Sequence, residues 1–528
     1  MTALKAIAVG GLTVFGVSAL TVPAERLDTA QRPLNIPESL DQDFVPISTP
    51  KQLVDSESLQ ASITSDKLLA RAKQLYEIAG LSREEYNHPT RVIGSKGHLG
   101  TLDYIVDSLN KLDGYYNVSR QPFGAVSGNV FYSELVLGHH RAETAQPMGL
   151  TPPTEGRSPV RGDLVLVTND GCKPEDYPSE TAGNIAFIKR GSCPFGTKSA
   201  LAGKAGAIAA IVYNYNPDSI IGTLGTPSPD HVATFSLSGI EGKPIVEHLK
   251  SGERISATAH IDAVVKTIET YNIIAQTQHG DPENCVMLGA HSDSVAEGPG
   301  INDDGSGSMS LLEVATQLAA FRVNNCVRFA WWSAEEEGLL GSDYYVETLT
   351  ASERHKIRLF MDYDMLASPN FAYQVYDARD SEEGIPVGSQ ALRDLYVRWY
   401  EANGFNYTFI PFDGRSDYDA FIRGGIPAGG IATGAEGIKT HEEAIAFGGE
   451  PGIAYDPCYH QLCDAVSNVN LTAWEVNTKL VAHSVATFAR SFEGFPKPGE
   501  INNLAAEEAD KAKGYAKRVQ YRGSRLFI

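Results

Sequence analysis

Histidine and acidic side chains collect just after three apolar, strand-like segments in the second half of this 528-residue chain. In chain order these ionisable residues are His291, Asp293, Asp303, Asp304, Glu335, Glu336, Glu337 and Asp364. Carboxylates that are packed together repel one another, so their pKa values rise and they bind protons unless a cation neutralises them. Imidazole and carboxylate donors suit zinc or a similar ion, and this set contains more acids than one ion needs. The residue types therefore predict a metal centre that holds two ions.

Each of these motifs has a simpler explanation when it is taken alone. His-x-Asp triplets occur in many chains, and three acids at 335–337 would interact favourably with the dipole at the start of a helix. Acidic residues at a protein surface are mostly solvated and have no chemical role. The argument for a metal site therefore rests on the convergence of the motifs at strand ends.

The segments around these residues alternate between buried strands and helices. The predicted strands are 286–290, 326–332 and 357–365, and the predicted helices between them are 306–321 and 337–349. Strands that alternate with helices at this spacing form a mostly parallel sheet with right-handed crossovers. Ligand sites of such sheets lie at the carboxyl ends of the strands, where the ionisable residues are found. The sequence therefore predicts an α/β fold, with a mostly parallel mixed sheet flanked by helices.

The segment 122–265 differs in composition and is predicted to be an insert within this α/β domain. Short β-rich runs such as 164–167 and 184–188 are separated by Gly, Pro and Asp, which is typical of a small β-rich module. Residues 191–214, GSCPFGTKSALAGKAGAIAAIVYN, resemble the protease-associated domain, and an ordinary α/β subdomain is the alternative. The two parts of the α/β domain are then 61–121 and 266–497.

The first residues of the chain resemble a secretory leader. An almost uncharged apolar run is followed by Val17-Ser18-Ala19, whose small residues suit cleavage, so 1–19 is predicted to be a signal peptide. Residues 20–60 are polar and lack a sustained period, and we predict a propeptide or flexible arm there. Residues 498–528 are predicted to be a peripheral C-terminal tail.

Six cysteines and three sequons fit an oxidising, exported location. The cysteines form three candidate disulfide pairs by position, which are Cys172 with Cys193, Cys285 with Cys326, and Cys458 with Cys463. Two buried free thiols are the alternative for the second pair. The candidate glycosylation sites are Asn117, Asn406 and Asn470. The protein is predicted to be secreted or, alternatively, delivered to the vacuole or another lytic compartment.

The composition excludes several classes of partner. Lys plus Arg is 44 and Asp plus Glu is 65, which gives a formal net charge of −21. Such a charge opposes binding to nucleic acids and to anionic membranes. With 42% hydrophobic and 21% charged residues, the chain is neither disordered nor polytopic in a membrane. We therefore predict no nucleic-acid partner and no membrane association once the signal peptide is cleaved.

Five ordered blocks of the sequence resemble the signature motifs of one enzyme family. The blocks are GAHSDSVAEGPGINDDGSGS (289–308), FAWWSAEEEGLLGS (329–342), DYDMLASPN (362–370), FDGRSDYDAF (412–421) and YDPCYHQLCD (455–464). Together with the insert, the chain from about 64 to 495 is similar to the dizinc aminopeptidases related to aminopeptidase Y and to the secreted fungal leucine aminopeptidases. The resemblance implies the zinc exopeptidase fold with an inserted protease-associated domain.

The same resemblance implies a site with two Zn²⁺ ions per chain. The implied ligands are His291 and Asp364 for one ion, Glu336 and His460 for the other, and Asp303 as the bridge between them. Asp293 and Asp304 would lie behind the ligands, with Asp293 accepting the second imidazole N–H of His291. The peptide bond between Asp303 and Asp304 would be cis.

The resemblance also implies the groups that carry the chemistry. Glu335 would be the general base, and it would pass the proton on to the leaving amine. Tyr459 would donate a hydrogen bond to the developing oxyanion, and Arg415 would lie near the substrate. Glu337 is a departure, since related sequences often carry an apolar residue there, and it adds a charge beside the base.

The implied function is a zinc-dependent aminopeptidase. It would hydrolyse N-terminal residues, with a preference for large apolar ones such as Leu, from peptides by attack of a metal-bridged hydroxide. Its partners would be peptides with a free N-terminus, and the protein would be a monomer. One alternative is a catalytically silent receptor or binding module on the same fold, which would have lost ligands or the base. Another is a carboxypeptidase of the same superfamily, whose members carry a long helical domain after the catalytic core, whereas about thirty residues follow position 497 here.

Overall fold

The computed structural model describes residues 51–191, 193–217, 220, 222–225, 227–378 and 384–496. The predicted signal peptide, the predicted tail and the first part of the predicted arm, up to residue 50, lie outside these residues. In the part of the chain that is described, no helix has both the length and the apolar character needed to cross a membrane.

The helices of the described residues occur in three groups, before, within and after the predicted insert. In chain order the α-helices are α1 (Ser56–Ala61), α2 (Ser65–Ala79), α3 (Arg83–Tyr86), α4 (Lys96–Asn110), α5 (Phe195–Lys204), α6 (Gly239–Lys250), α7 (Gly305–Leu318), α8 (Leu340–Thr348), α9 (Ala351–Lys356), α10 (Ser389–Ala402), α11 (Tyr418–Arg423), α12 (His441–Phe447) and α13 (Leu471–Arg490). Short 3₁₀ turns lie at Gly80–Ser82, Glu155–Arg157, Pro174–Asp176, Ser179–Thr181 and Val466–Asn468.

The strands of the described residues join into a single mixed sheet. They are β1 (Tyr116–Leu137), β2 (His140–Arg141), β3 (Gln146–Pro147), β4 (Val160–Leu166), β5 (Ile185–Lys189), β6 (Ala209–Tyr213), β7 (Thr234–Leu237), β8 (Ser256–Thr277), β9 (Asp281–His291), β10 (Asn325–Trp332), β11 (Ile357–Tyr363), β12 (Gln374–Tyr376), β13 (Thr408–Ile410) and β14 (Ala428–Ala432). The main order is β13-β12-β14-β11-β9-β10-β8-β4-β5-β6-β7-β3, and β1 pairs with β8 and β2.

The centre of the sheet has the predicted parallel character. Strand β9 pairs in parallel with β10 on one side and with β11 on the other, and β14 continues in parallel beyond β11. These strands are buried on both faces, as expected for a parallel sheet that is covered by helices. In β9, Leu288 packs into the core on one face, and its neighbour Met287 packs into the core on the other. The predicted α/β fold, with a mixed sheet and flanking helices, is thus confirmed.

The predicted insert leaves and rejoins the sheet through one long two-stranded ribbon. Strands β1 and β8 are each 22 residues long and pair antiparallel along nearly their whole length. Beyond the ribbon, β5, β6 and β7 pair in parallel and enclose a separate apolar core. The predicted boundaries at 122 and 265 fall inside the two strands, because a continuous backbone ladder crosses both positions. The predicted boundaries followed a change in composition, whereas the two strands continue through both positions without a break.

Part of the predicted arm belongs to the packed domain. Residues 51–60 were expected to be loose, but Val54 and Leu59 are fully buried, and Leu53 forms a parallel bridge with Arg322. Helix α1 packs against α13, where the Ser56 hydroxyl lies 2.7 Å from the Nδ1 atom of His483. A few apolar residues in a polar context were enough to order this segment, since they cover the end of the core.

The contact between α1 and α13 predicts a loss of stability in acid. Burial is the main reason that the pKa of His483 falls from 6.5 to about 4, so the folded protein keeps this imidazole neutral. Below pH 6.5 the unfolded chain binds a proton that the folded chain does not, so His483 lowers stability progressively down to pH 4. Between pH 7 and pH 4.5, we expect the unfolding free energy of wild type to fall by about 2 kcal/mol more than that of His483→Gln. Urea unfolding at both pH values measures this, with the exposed His279→Gln as control.

Candidate active site

The site lies at the carboxyl ends of three neighbouring parallel strands. Strand β9 ends at His291, β10 ends at Trp332 just before the acidic triple, and β11 ends one residue before Asp364. Because the strands lie in the order β11-β9-β10, these ends meet at one edge of the sheet. The alternation of strands and helices thus placed the residues correctly.

Asp303 lies between two histidines from distant parts of the chain. Its Oδ1 atom is 3.2 Å from Nε2 of His291, and its Oδ2 atom is 3.1 Å from Nε2 of His460. Glu336 completes one side, with Oε2 3.1 Å from Nε2 of His460. Asp364 completes the other side, with Oδ1 3.8 Å from Nε2 of His291. The five predicted ligands therefore converge, and one carboxylate is shared between two donor groups.

The spacing and the chemistry of these donors fit metal ions. Two donor atoms on one tetrahedral zinc ion, each bound at about 2.0–2.2 Å, lie about 3.3–3.6 Å apart. The observed separations of 3.1–3.8 Å bracket that value. Oδ1 of Asp364 is buried and has no hydrogen-bond donor, so it is an oxygen that a cation would satisfy. Two overlapping groups in the described residues have metal-like spacing, His291 with Asp304 and Asp364, and His291 with Asp303 and Glu336.

The charges of this cluster depend on which groups receive hydrogen bonds. Burial alone would raise the pKa of Asp303, but hydrogen bonds from His291 and His460 outweigh it and lower that pKa below its usual value. For Asp364, burial together with the charge of Asp303 outweighs the attraction of His291 and the hydrogen bond from Ser416, and its pKa rises to about 7. A cation would relieve this conflict.

Asp293 holds the site together in a different way from the one expected. The Nδ1 atom of His291 lies 3.2 Å from the backbone carbonyl oxygen of Asp293, whereas the Asp293 carboxylate is 3.8 Å away. That carboxylate instead accepts long hydrogen bonds from the backbone N–H groups of Glu335 and Glu336, at 3.4 and 3.3 Å. The carbonyl therefore orients the imidazole, because the carboxylate is turned toward the start of the acidic triple.

Asp304 fixes the backbone around the predicted ligands. Its Oδ1 atom accepts from the N–H groups of Gly307 and Met365, at 2.8 and 3.1 Å, and its Oδ2 atom accepts from that of His291 at 3.1 Å. Both oxygens are thus engaged by backbone donors, and Asp304 also caps the start of α7. The peptide bond between Asp303 and Asp304 is cis, as the resemblance predicted.

Glu335 and Glu337 are both buried in this acidic environment. Oε2 of Glu335 lies 3.9 Å from Nε2 of His291. Burial is the largest cause of the raised pKa of Glu335, and the charges of Glu336 and Asp417 add to it, although His291 acts in the opposite direction. Burial, followed by the charges of Asp293 and Glu336, also raises the pKa of Glu337 well above its usual value.

Tyr459 and Arg415 lie on the far side of the site. The Tyr459 ring stacks on the imidazole of His460, with ring centroids 3.8 Å apart. Burial raises the pKa of Tyr459 further above 10, so its hydroxyl remains a hydrogen-bond donor at neutral pH. The Arg415 guanidinium lies 2.8 and 2.9 Å from the two carboxylate oxygens of Glu436, and its Nη2 atom lies 3.4 Å from the Tyr459 hydroxyl.

Seven of these groups line one cleft, namely Asp303, Glu335, Glu336, Asp364, Arg415, Tyr459 and His460. Besides the charged residues, its wall includes Leu339 and Met365, which supply apolar surface. The backbone is in the left-handed region at Ala334, Leu339, Met365 and His460, with φ between 56° and 63°. Non-glycine residues adopt this conformation rarely and at an energetic cost, and such positions cluster at functional sites. The cleft thus has the polar and apolar walls of a ligand site.

Comparisons with known proteins identify the family of this chain. The model of "Peptidase family M28" matches residues 272–485, and the model of the "PA domain" matches residues 160–245. Aminopeptidase Y of Saccharomyces cerevisiae is 49% identical over 90% of this chain and 88% of its own length. This chain belongs to peptidase family M28. Leucine aminopeptidase 2 of Trichophyton equinum is 42% identical over 84% of the chain and 88% of its own length.

Solved structures share the fold of this M28 peptidase. The aminopeptidase from Aneurinibacillus sp. strain AM-1 matches with a TM-score of 0.64 and 25% identity, over 83% of this chain and 96% of that one. A zinc aminopeptidase from Bacillus subtilis matches in fold with a TM-score of 0.54 at 22% identity, over 82% and 96% of the two chains. The β-rich insert is a protease-associated domain, as its sequence predicted.

Several residues of the M28 site were missed by the sequence analysis. The Ser416 hydroxyl donates to Oδ2 of Asp364 at 2.9 Å, and the buried Asp464 carboxylate accepts from the backbone N–H groups of Asn302 and Asp303, at 2.9 and 3.0 Å. Both Ser416 and Asp464 lie in the quoted motifs, so the motifs contained the signal. A disulfide between Cys458 and Cys463 encloses Tyr459 and His460 beside Asp464, and the other two candidate pairs are also bonded.

Proposed function

We propose that this M28 peptidase is a zinc-dependent aminopeptidase that removes N-terminal residues, with a preference for large apolar ones such as Leu. The observation that carries the proposal is the position of Asp303, which offers one carboxylate oxygen to His291 and the other to His460. Glu335 lies beside this arrangement at the cleft. The relatives named aminopeptidase Y and leucine aminopeptidase 2 support both the reaction and the preference.

The site would hold two zinc ions. His291 and Asp364 would bind one ion, Glu336 and His460 would bind the other, and Asp303 would bridge them. Bound zinc polarises a scissile carbonyl group and lowers the pKa of an attacking water. The excess of buried carboxylates supports two ions over one, because a single cation would leave acids such as Asp364 uncompensated.

Glu335 would act as the general base and then as the general acid. Its carboxylate faces the cleft near His291, so it can take a proton from water that attacks the scissile carbonyl and give it to the leaving amine. Tyr459 would donate its hydroxyl proton in a hydrogen bond to the oxyanion that forms. The buried position of this phenol, which keeps it protonated, supports the assignment.

The cleft supplies a reason for exopeptidase specificity. A free N-terminal ammonium group would be attracted by an acid on the wall that is not a proposed metal ligand, namely Glu335. Leu339 and Met365 would contact an apolar first side chain. Arg415 would lie near the substrate end of the cleft, where Glu436 holds its guanidinium.

A pair of chromogenic substrates tests this proposal. We expect hydrolysis of Leu-p-nitroanilide and a loss of at least about 100-fold in kcat/KM for N-acetyl-Leu-p-nitroanilide, since acetylation removes the ammonium charge. Equal rates with the two substrates would contradict aminopeptidase specificity. Release of residues from the C-terminus of a blocked peptide would favour the carboxypeptidase alternative. A protein that binds these peptides without turnover would be the silent receptor.

We infer that the protein is exported, to the outside of the cell or to a vacuole-like compartment. All six cysteines are paired in three disulfides, which supports an oxidising compartment. Asn117 and Asn406 are exposed, and Asn470 caps α13 at a partly exposed position. We expect enzymatic removal of N-glycans to lower the mass of the protein from its native host, and an unchanged mass would contradict glycosylation at all three sites. N-terminal sequencing of the same material would show whether residues 1–19 or the longer arm are removed.

A further inference from the structure

Arg91 lies fully buried behind the active site, in the segment that connects α3 to α4. It takes no part in the proposed chemistry. Its side chain enters the loop 292–303, which begins directly after the ligand His291 and ends at the ligand Asp303. This loop alone joins the two donors that face each other at 3.2 Å. A residue at the centre of the loop is therefore placed to influence their spacing.

The guanidinium group donates to four backbone carbonyls of that loop. Its Nε atom donates to Pro299 at 2.8 Å, and its Nη2 atom donates to Gly300 at 2.5 Å and to Asp303 at 3.4 Å. Its Nη1 atom donates to the carbonyl of Ser292, next to His291. Four of the five N–H donors of the arginine are thus used on one loop, at both of its ends and in its middle.

The backbone of Arg91 is tied to the same loop. Its N–H donates to the Ser294 hydroxyl at 2.9 Å, and its carbonyl accepts from the Ser294 N–H at 3.3 Å. These two contacts fix where the side chain begins, so the guanidinium enters the loop from a defined point. Arg91 therefore connects the segment between α3 and α4 to the loop 292–303 through both its backbone and its side chain.

The charge of Arg91 has no direct carboxylate partner among the ion pairs of the described residues, and all four acceptors in the loop are carbonyl oxygens. Burying a cation in this way is costly. Four nearby acids offset the cost at longer range, namely Asp293, Asp303, Asp304 and Asp464. A lysine could retain the charge, but its three donors leave from one atom and cannot reach carbonyls spread around a loop.

We propose that Arg91 is a positioning residue that fixes the loop 292–303 and thereby the spacing of His291 and Asp303 as metal ligands. The inference rests on the proposed metal site. Arg91 lies outside all five signature motifs. By this proposal it nevertheless controls the geometry of the two donors His291 and Asp303. Replacement of Arg91 should weaken metal binding about 10- to 100-fold, which is the usual effect of losing a partner that orients a ligand.

Cobalt substitution tests the proposal directly, because the visible spectrum of bound Co²⁺ reports ligand geometry. The full-length protein is stripped of metal and titrated with Co²⁺ as wild type, Arg91→Lys and Arg91→Met. We expect both variants to show a changed visible spectrum, Co²⁺ dissociation constants raised about 10- to 100-fold, and a lower kcat with KM changed less than about threefold. Arg328→Met is the matched control, since Arg328 is also buried but bonds to Gln276 and Tyr345. It should lose thermal stability and keep the wild-type spectrum.

Each outcome decides the matter. Wild-type spectra and dissociation constants in the Arg91 variants would overturn the proposal, and so would a change of the same size in Arg328→Met. If Arg91→Met does not fold, Arg91→Lys carries the test. Failure of both to fold while Arg328→Met folds would assign Arg91 to folding alone and would also overturn it. A wild-type protein that binds no Co²⁺ would instead refute the proposed metal site, so the two failures can be told apart.

Discussion

Glu335→Gln should lower kcat about 100- to 10,000-fold while the protein keeps its metal. The carboxylate at this position is the group in the cleft that is placed to move a proton but is not needed as a ligand. The amide has nearly the same shape and cannot take a proton from water at neutral pH. Steady-state kinetics with Leu-p-nitroanilide, together with metal analysis of the same sample, measure both parts of the prediction.

Glu337→Gln is the matched control for this experiment. Glu337 is two residues away and is equally buried, but it does not line the cleft. Burial raises the pKa of Glu337 above its usual value, and glutamine keeps nearly the same shape as this side chain without its charge. We expect its kcat to stay within about tenfold of wild type. A Glu335→Gln enzyme that retains most of its turnover, or a Glu337→Gln enzyme that loses as much, would contradict the assigned base.

The sequence predicted the parts of the site that follow from strand order. His291, the acidic triple and Asp364 each come directly after an apolar run, and a parallel sheet brings such positions to one edge. His460 could not be derived in this way. It lies in an irregular loop almost a hundred residues beyond β11, so only the similarity of the whole motif to a known family pointed to it.

Other features could not be predicted, because they depend on which atom of a residue makes a contact or on contacts between distant parts of the chain. The family resemblance implied that Asp293 is a partner of His291, but it could not show that the carbonyl makes the contact while the carboxylate turns to Glu335 and Glu336. The pairing of β1 with β8 joins residues that are between 120 and 161 positions apart in the chain, and local composition carries no information on such a contact. Arg91 lies in a segment without periodicity, so nothing in its neighbourhood indicated a buried side chain.

Removal of metal should also abolish most of the activity. We expect dialysis against a chelator to reduce hydrolysis of Leu-p-nitroanilide to below about 1% of its starting rate, with full recovery on addition of Zn²⁺. Without ions, the site would hold several buried acids that repel one another, and burial would favour protons on groups such as Asp364, with its pKa of about 7. Chelator saturated with Zn²⁺ is the control for direct inhibition by the chelator itself.

The same preparation distinguishes two ions from one. Titration of the metal-free protein should restore activity at two equivalents of Zn²⁺ per chain, and His460→Ala should retain about one, because His291, Asp303 and Asp364 remain. Since metal binds only to the folded site, Zn²⁺ at 1,000 times its dissociation constant should raise the unfolding free energy by about 4 kcal/mol for each ion. Thermal unfolding with and without Zn²⁺ measures this. Full activity at one equivalent of Zn²⁺ would contradict a two-ion site. Unchanged activity after complete metal removal would reject the metal mechanism altogether, because the role proposed for Asp303 requires bound ions.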